Sequence, residues 1–266
     1  MPSYVITGVS KGLGFEFLRQ LSCDPNNTII GIVRDKPRTD KRVEEELSGR
    51  SNITILEADM TIYDQLEKAA EDATPILGGK LDYLIANAGY VSVYDSFHGI
   101  GTLGTQNPLE TQQDLQKSME TNVYANIHLY NLFMPLILRG AAKSGLGDTD
   151  LAAVHDLDVA SLYAISKAAM NMVTAKFSAQ YRKDGVLFLS LCPGMVDVGR
   201  YDNVTPEQQA GLGRMMQSFK EFAPHFEKPA TPEEAIRDVI KVWENSSIEN
   251  GDGGAFLSHK GTKQWL

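Results

Sequence analysis

Tyr163 and Lys167 stand four residues apart, a spacing that puts both on one face of a helix. A phenol with a pKa of about 10 is a poor acid–base catalyst at neutral pH, but a neighbouring ammonium favours its phenolate. A second arrangement lies near the other end of the chain. Thr7-Gly8-Val9-Ser10-Lys11-Gly12-Leu13-Gly14 directly follows an apolar run and precedes a helical pattern. Gly8 permits a tight turn, Gly12 lets backbone amides approach a pyrophosphate, and Gly14 lets helix and strand pack closely. Ser10, Lys11 and Leu13 complete this loop, and the helix behind it offers the positive end of its dipole. The chemistry implied is proton transfer beside a bound dinucleotide.

Two further positions bear on which dinucleotide that is. Where an acid would take the 2′-hydroxyl of NAD, at the end of the second apolar run, stand Arg34 and then Asp35. Arg34, with Lys11 in the glycine loop, suits a 2′-phosphate, so NADP (NADPH) is the expected cofactor. Asp59, followed by Met60, comes after the third apolar run. It either reaches an adenine ring or serves as an ordinary turn aspartate.

These residues need a scaffold, and the apolar pattern supplies one. Continuous runs at Tyr4 to Ile6, Thr28 to Val33, Ile53 to Glu57, Leu81 to Ala86 and Val186 to Cys192 read as strands covered on both faces. Helical patterns separate them at Phe15 to Cys23, Val43 to Leu47, Tyr63 to Thr74, Gln112 to Leu138 and Tyr163 to Tyr181. Alternation of this kind implies right-handed βαβ units: an α/β fold with a doubly wound parallel sheet in three layers. Thr231, Pro232 and Glu234 spell a capped start for a last helix, and Ala255 to Ser258 is a final short strand. No repeat or composition break divides the chain, so one domain over 1–266 is expected.

With Asn87-Ala88-Gly89 closing the fourth strand, the sequence resembles the short-chain dehydrogenase/reductase family, a Rossmann-fold family, over nearly its whole length. The resemblance implies that Tyr163 protonates a carbonyl oxygen, and that Lys167 lowers its pKa and holds the nicotinamide ribose. Asn122, in Glu120-Thr121-Asn122-Val123, would anchor a proton-relay water. Asn87, Ala88 and Gly89 would stabilise the sheet beside the adenosine. Pro193, Gly194 and Val196 would flank the nicotinamide, with Val198 replacing a threonine of the family.

One stretch departs from that pattern. Between Leu138 and Tyr163 no β-branched run marks the fifth strand. About six residues of a central strand are expected to be missing, or remodelled from the helix end around Pro135 to Ala142. Ser144 is the best match for the family's catalytic serine, and Ser161 the fallback.

The segment from Asp197 to Pro229 takes the place of a substrate lid. Met215, Met216, Phe219, Phe222 and Phe226 give it an apolar stripe that reads equally well as core packing, with Gly211 and Gly213 as hinges. His155 and His259 read as ordinary loop or surface histidines. The expected function is therefore an NADP-dependent reduction of a carbonyl, or oxidation of an alcohol, on a small apolar compound. Two alternatives arise from the strand gap: a non-catalytic NADP-binding regulator, or a scaffold that cannot hold cofactor.

Composition excludes other classes. With 25 basic and 34 acidic residues the net charge is −9, which opposes nucleic-acid binding. No apolar run is long enough to span a bilayer, no secretory signal is visible, and two distant cysteines make neither a disulfide framework nor a zinc box. A cytoplasmic protein without metal or membrane partner is expected, with a homodimer or homotetramer left open.

Overall fold

The computed structural model describes residues 1–97, 99–141, 144–148, 160–199 and 204–265, the stretch 144–148 through its backbone. Seven parallel strands form one sheet in the order β3-β2-β1-β4-β5-β6-β7. They are β1 (Ser3–Thr7), β2 (Thr28–Val33), β3 (Ile53–Glu57), β4 (Tyr83–Ala86), β5 (Ser144–Asp148), β6 (Leu187–Cys192) and β7 (Phe256–Ser258). Strand order reverses between β1 and β4, so the ends of those two strands frame the crevice where such sheets bind ligands.

Alternate residues of β1, β2, β4 and β6 feed two cores. On one face Val5, Ile30, Ile32, Leu84 and Phe188 pack against α3 (Tyr63–Ile76), α6 (Ala125–Ile137) and α7 (Ser161–Tyr181). On the other, Tyr4, Ile6, Ile29, Ile85, Leu189 and Leu191 meet α1 (Gly12–Leu21) and α9 (Pro232–Glu244). Burial on both sides is why these strands read as unbroken apolar runs. The charged α2 (Lys36–Glu46) begins with Asp35 accepting from the Arg38 amide and with Pro37 in its first turn. The piece expected at Val43 to Leu47 is only its last part.

The expected gap in the sheet is absent. β5 lies between β4 and β6, with Ser144 opposite Tyr83 and Leu187, and Gly147 opposite Ala86 and Ser190. The helix end does not unwind to supply it, because α6 runs through Pro135 to Ile137. Pairing on both edges satisfies the backbone of a segment whose two glycines give it little strand propensity of its own. Asp82 prepares the entry: its carboxylate accepts from the Ser3 amide and hydroxyl and from the Ala141 amide. Gly140 fits the turn because a Cβ there would lie 1.9 Å from the Leu81 carbonyl oxygen.

Two more helices complete the path from β4 to α6. After α4 (Ile100–Gln106), α5 (Pro108–Met119) runs into α6 through a π-helical stretch, Glu120–Tyr124, in which the Ala125 amide donates to the Glu120 carbonyl. In the expected lid, α8 (Pro206–Phe222) starts with a Thr205–Gln208 capping box. It continues unbroken through Gly211 and Gly213, so these are not hinges. Gly211 lies against Phe97, while Met215, Met216, Phe219 and Phe226 join Cys192 and Trp265 in a third apolar cluster. The Phe222 side chain and His155 lie outside the described residues.

Candidate active site

The glycine loop leaves β1 at Thr7 and turns at Gly8, whose φ is +76°. A Cβ on Gly14 would lie 2.2 Å from the Gly8 carbonyl oxygen and 2.5 Å from Asn87 Nδ2, so glycine there is a packing requirement. Gly12 is different: its φ is +57°, and a Cβ would touch nothing nearer than Val198 at 3.7 Å. No described side chain caps α1 at Lys11, which leaves the first amides of that helix open to an anion. The cradle therefore fits a pyrophosphate. Ser10 and Lys11 are exposed on its rim and Leu13 turns toward the core.

β4 is tied to this loop through the next motif. The Asn87 and Ala88 amides both donate to the Thr7 hydroxyl, at 3.1 and 3.0 Å, while Asn87 Nδ2 donates to the Thr7 carbonyl at 2.9 Å. Gly89 then brings the chain beside the candidate chemistry, since a Cβ on it would sit 3.3 Å from Asn122 Oδ1 and 3.8 Å from Lys167 Nζ.

Asn122 lies in the π-helical stretch, a device found often at functional sites. Its Oδ1 accepts from the Tyr90 amide at 2.7 Å, and Nδ2 donates to the Tyr90 carbonyl and the Ser166 hydroxyl, both at 2.9 Å. Ser166 in turn donates to the Tyr163 carbonyl at 2.7 Å. Lys167 is buried, with its Nζ over the Tyr163 ring, 5.4 Å from the centroid. The Tyr163 side chain is half-exposed. A phenol open to one side and faced by an ammonium is an arrangement for moving a proton.

A family model of short chain dehydrogenases matches residues 3–209. The chain belongs to that family. The short chain dehydrogenase virK of Hypocrea virens is 56% identical over the full length of both chains, and the short-chain dehydrogenase/reductase iacC of Pestalotiopsis fici is 50% identical, again over both whole chains. Among solved structures, the NADPH-bound carbonyl reductase from chicken fatty liver superposes with a TM-score of 0.77 at 23% identity, covering 98% of each chain. The carbonyl reductase Sniffer of D. melanogaster does so at 0.77 and 20%, with the same coverage. This short-chain dehydrogenase is thus an oxidoreductase by family, with the Rossmann sheet expected of one.

The sequence-derived site residues divide accordingly. Tyr163, Lys167, Asn122 and Gly89 meet at the carboxyl end of β4, with Asn87 and Ala88 linking them to the glycine loop. Ser144 does not join them. It opens β5, at the amino edge of the sheet, with four more strand residues between it and the carboxyl end, or about 13 Å at strand rise. The family resemblance had placed the missing strand before Ser144, whereas that serine is the strand's first residue. Ser161, the fallback, opens α7 two residues ahead of Tyr163.

Around the cofactor positions, Arg34 is exposed at the end of β2. Asp59 forms a local turn, its Oδ1 accepting from the Thr61 amide and hydroxyl, and the Met60 side chain is buried in the core. The Pro193–Val196 turn is backed by His259, which lies 2.9 Å from where a Gly194 Cβ would be. Burial, with the neighbouring Lys260 charge, lowers the His259 pKa against the weaker pull of Asp238.

Sequence reasoning missed two contributors. Arg42 stacks 3.8 Å over the Phe15 ring and donates to the Ser10 carbonyl at 3.0 Å, placing a third cation beside the glycine loop. Asp95 was missed too. Its carboxylate accepts from the Leu162 and Tyr163 amides at the start of α7.

Proposed function

We propose that this chain is an NADP-dependent oxidoreductase that interconverts a carbonyl and an alcohol on a small molecule. The observation that carries the reading is the convergence of Tyr163, Lys167 and Asn122 at the end of β4, next to an uncapped helix behind a glycine loop. When bound, the nicotinamide supplies or accepts the hydride. In the reducing direction Tyr163 donates its phenolic proton to the carbonyl oxygen, and the Lys167 ammonium stabilises the phenolate that remains. Asn122 braces the segment after β4 against α7. A relay water would bind a remaining lone pair of its Oδ1 or of its main-chain carbonyl, because both side-chain amide hydrogens are engaged.

Selection of NADP rests on charge. Lys11 and Arg34 are exposed where an acid would face NAD, Arg42 reaches the Ser10 carbonyl while paired with Glu46 at 2.6 Å, and Asp35 is engaged as the α2 cap through the Arg38 amide. The NADPH named for the chicken structure agrees with that reading. A cleft of about 490 Å³ lies where the segment after β4 meets α4, α5 and α8, and neither Tyr163, Lys167 nor Asn122 lines it.

The test is NADPH oxidation with a panel of aldehydes, ketones and quinones. Tyr163→Phe should keep NADPH affinity by calorimetry and lose at least about a hundredfold in turnover. Unchanged turnover would move the acid role elsewhere. NADPH binding without turnover of any probe by the parent would favour a non-catalytic cofactor-binding protein.

A further inference from the structure

α7 carries both Tyr163 and Lys167, yet it has no cap of its own. Its N-cap position is Ala160, at φ +55°, the left-handed region, and among the described residues the only position outside glycine with positive φ. Such backbone persists only where the surroundings impose it. Among the described residues, the groups that do so come from 65 or more residues earlier in the chain.

Asp95 lies in a short 3-10 turn, Asp95–Phe97, and is 1% exposed. Its main-chain carbonyl accepts from the Ala160 amide at 2.9 Å. Its carboxylate accepts from the Leu162 amide through Oδ1 at 3.1 Å and from the Tyr163 amide through Oδ2 at 2.9 Å, and the Ser161 amide also bonds to it. One residue thus takes the amides that open the helix, the last of them being that of Tyr163 itself. The Tyr163 carbonyl is held separately by Ser166, which is fixed in turn by Asn122.

We infer that Asp95 is a positioning residue for Tyr163: by clamping the first turn of α7 it sets where the phenol stands over Lys167. The inference rests on the oxidoreductase reading for its meaning but not for its test. Burial pushes the Asp95 carboxyl upward, as does the nearby Asp114, while the α7 amides pull it down. Burial is the largest of these, so the fold holds a carboxylate here at a cost. A cost of that kind suits a geometric role better than a purely stabilising one.

The experiment uses the full chain, its Asp95→Ala variant and the milder Asp95→Asn, which retains one acceptor oxygen. Hydrogen exchange read at the peptide containing 161–163 should rise at least about tenfold in Asp95→Ala, with exchange in β1 and β4 unchanged, and less in Asp95→Asn. The ultraviolet ionisation curve of Tyr163, isolated by subtracting the same variant carrying Tyr163→Phe, should shift from that of the parent. With a carbonyl probe that the parent reduces, kcat should fall at least about tenfold while the KM for NADPH stays within about twofold.

Unchanged exchange at 161–163 would overturn the clamp. Raised exchange with an unmoved Tyr163 ionisation curve would reduce Asp95 to an ordinary cap and overturn the positioning role. If Asp95→Ala fails to fold, the same criteria apply to Asp95→Asn. A parent that reduces no probe would sink the oxidoreductase reading alone, because exchange and ionisation still decide the role of Asp95.

Discussion

Adding one methyl group at Gly14 should damage the protein more than its size suggests. The backbone there has an ordinary φ, so only space decides, and the space is taken by the Gly8 carbonyl oxygen at 2.2 Å and Asn87 Nδ2 at 2.5 Å. Neither is the end of a flexible chain. The carbonyl belongs to the turn leaving β1, and Asn87 is held by its bonds to the Thr7 and Gly8 carbonyls. Overpacking of this kind costs about 1–3 kcal/mol, and weakening two hydrogen bonds adds roughly 0.5–1.5 kcal/mol each. Gly14→Ala should therefore lose about 2–6 kcal/mol of a total near 5–15 kcal/mol, which lowers Tm by roughly 4–11 °C for a chain of this size. NADPH affinity, by calorimetry, should fall at least about tenfold because the loop that moves is the phosphate cradle. Gly213→Ala is the matched control: nothing lies within 4 Å of its Cβ in the middle of α8, so Tm should hold or rise, by up to about 1 kcal/mol of stability. A Gly14→Ala protein with parental Tm and parental NADPH affinity would refute the reasoning, since the close approach would then not be needed.

Arg34→Ala should weaken NADPH about tenfold and leave NADH unchanged; equal losses for both would mean that Arg34 does not face the 2′-phosphate. Because burial lowers the His259 pKa below its ordinary 6.5, the unfolded chain takes up a proton that the folded chain resists. Stability should fall as pH drops from about 7 to 5, and His259→Gln should flatten that part of a Tm-against-pH curve. Thr231→Ala removes the hydroxyl that accepts from the Glu234 amide at the start of α9. It should cost about 1 kcal/mol in urea unfolding, without changing NADPH affinity.

How far the sequence could be read depended on whether a segment's own residues specified it. β1, β2 and β6 are apolar because both faces are covered, and their pattern shows it. The α9 cap is spelled by Thr231, Pro232 and Glu234, and the same signature at Thr205, Pro206 and Gln208 marks α8. β5 is the opposite case: Ser-Gly-Leu-Gly-Asp has little preference for a strand, and β4 and β6 impose that conformation through pairing on either side. That is why Ser144 was expected beside Tyr163 and stands instead at the far edge. Tyr163 and Lys167 were legible from their spacing of four, and Asn122 through the family resemblance. Asp95 was not, because its partners are backbone amides more than 60 residues away, and no side-chain pattern records them.

The π-helical turn at Glu120–Tyr124 makes one helix behave as two separately phased units. A single extra residue rotates the downstream half by about 100°, so α5 can aim Asp114 at the Tyr90 hydroxyl while α6 aims Leu129, Tyr130 and Phe133 at the sheet. Exchanges of one side chain for another leave that phasing alone. Loss of a single codon anywhere from Glu120 to Tyr124 would not. The helix could then close into regular α geometry, and each half would face the wrong neighbour by a quarter turn or more. Within these five residues the reading frame of the structure is as strict as that of the gene.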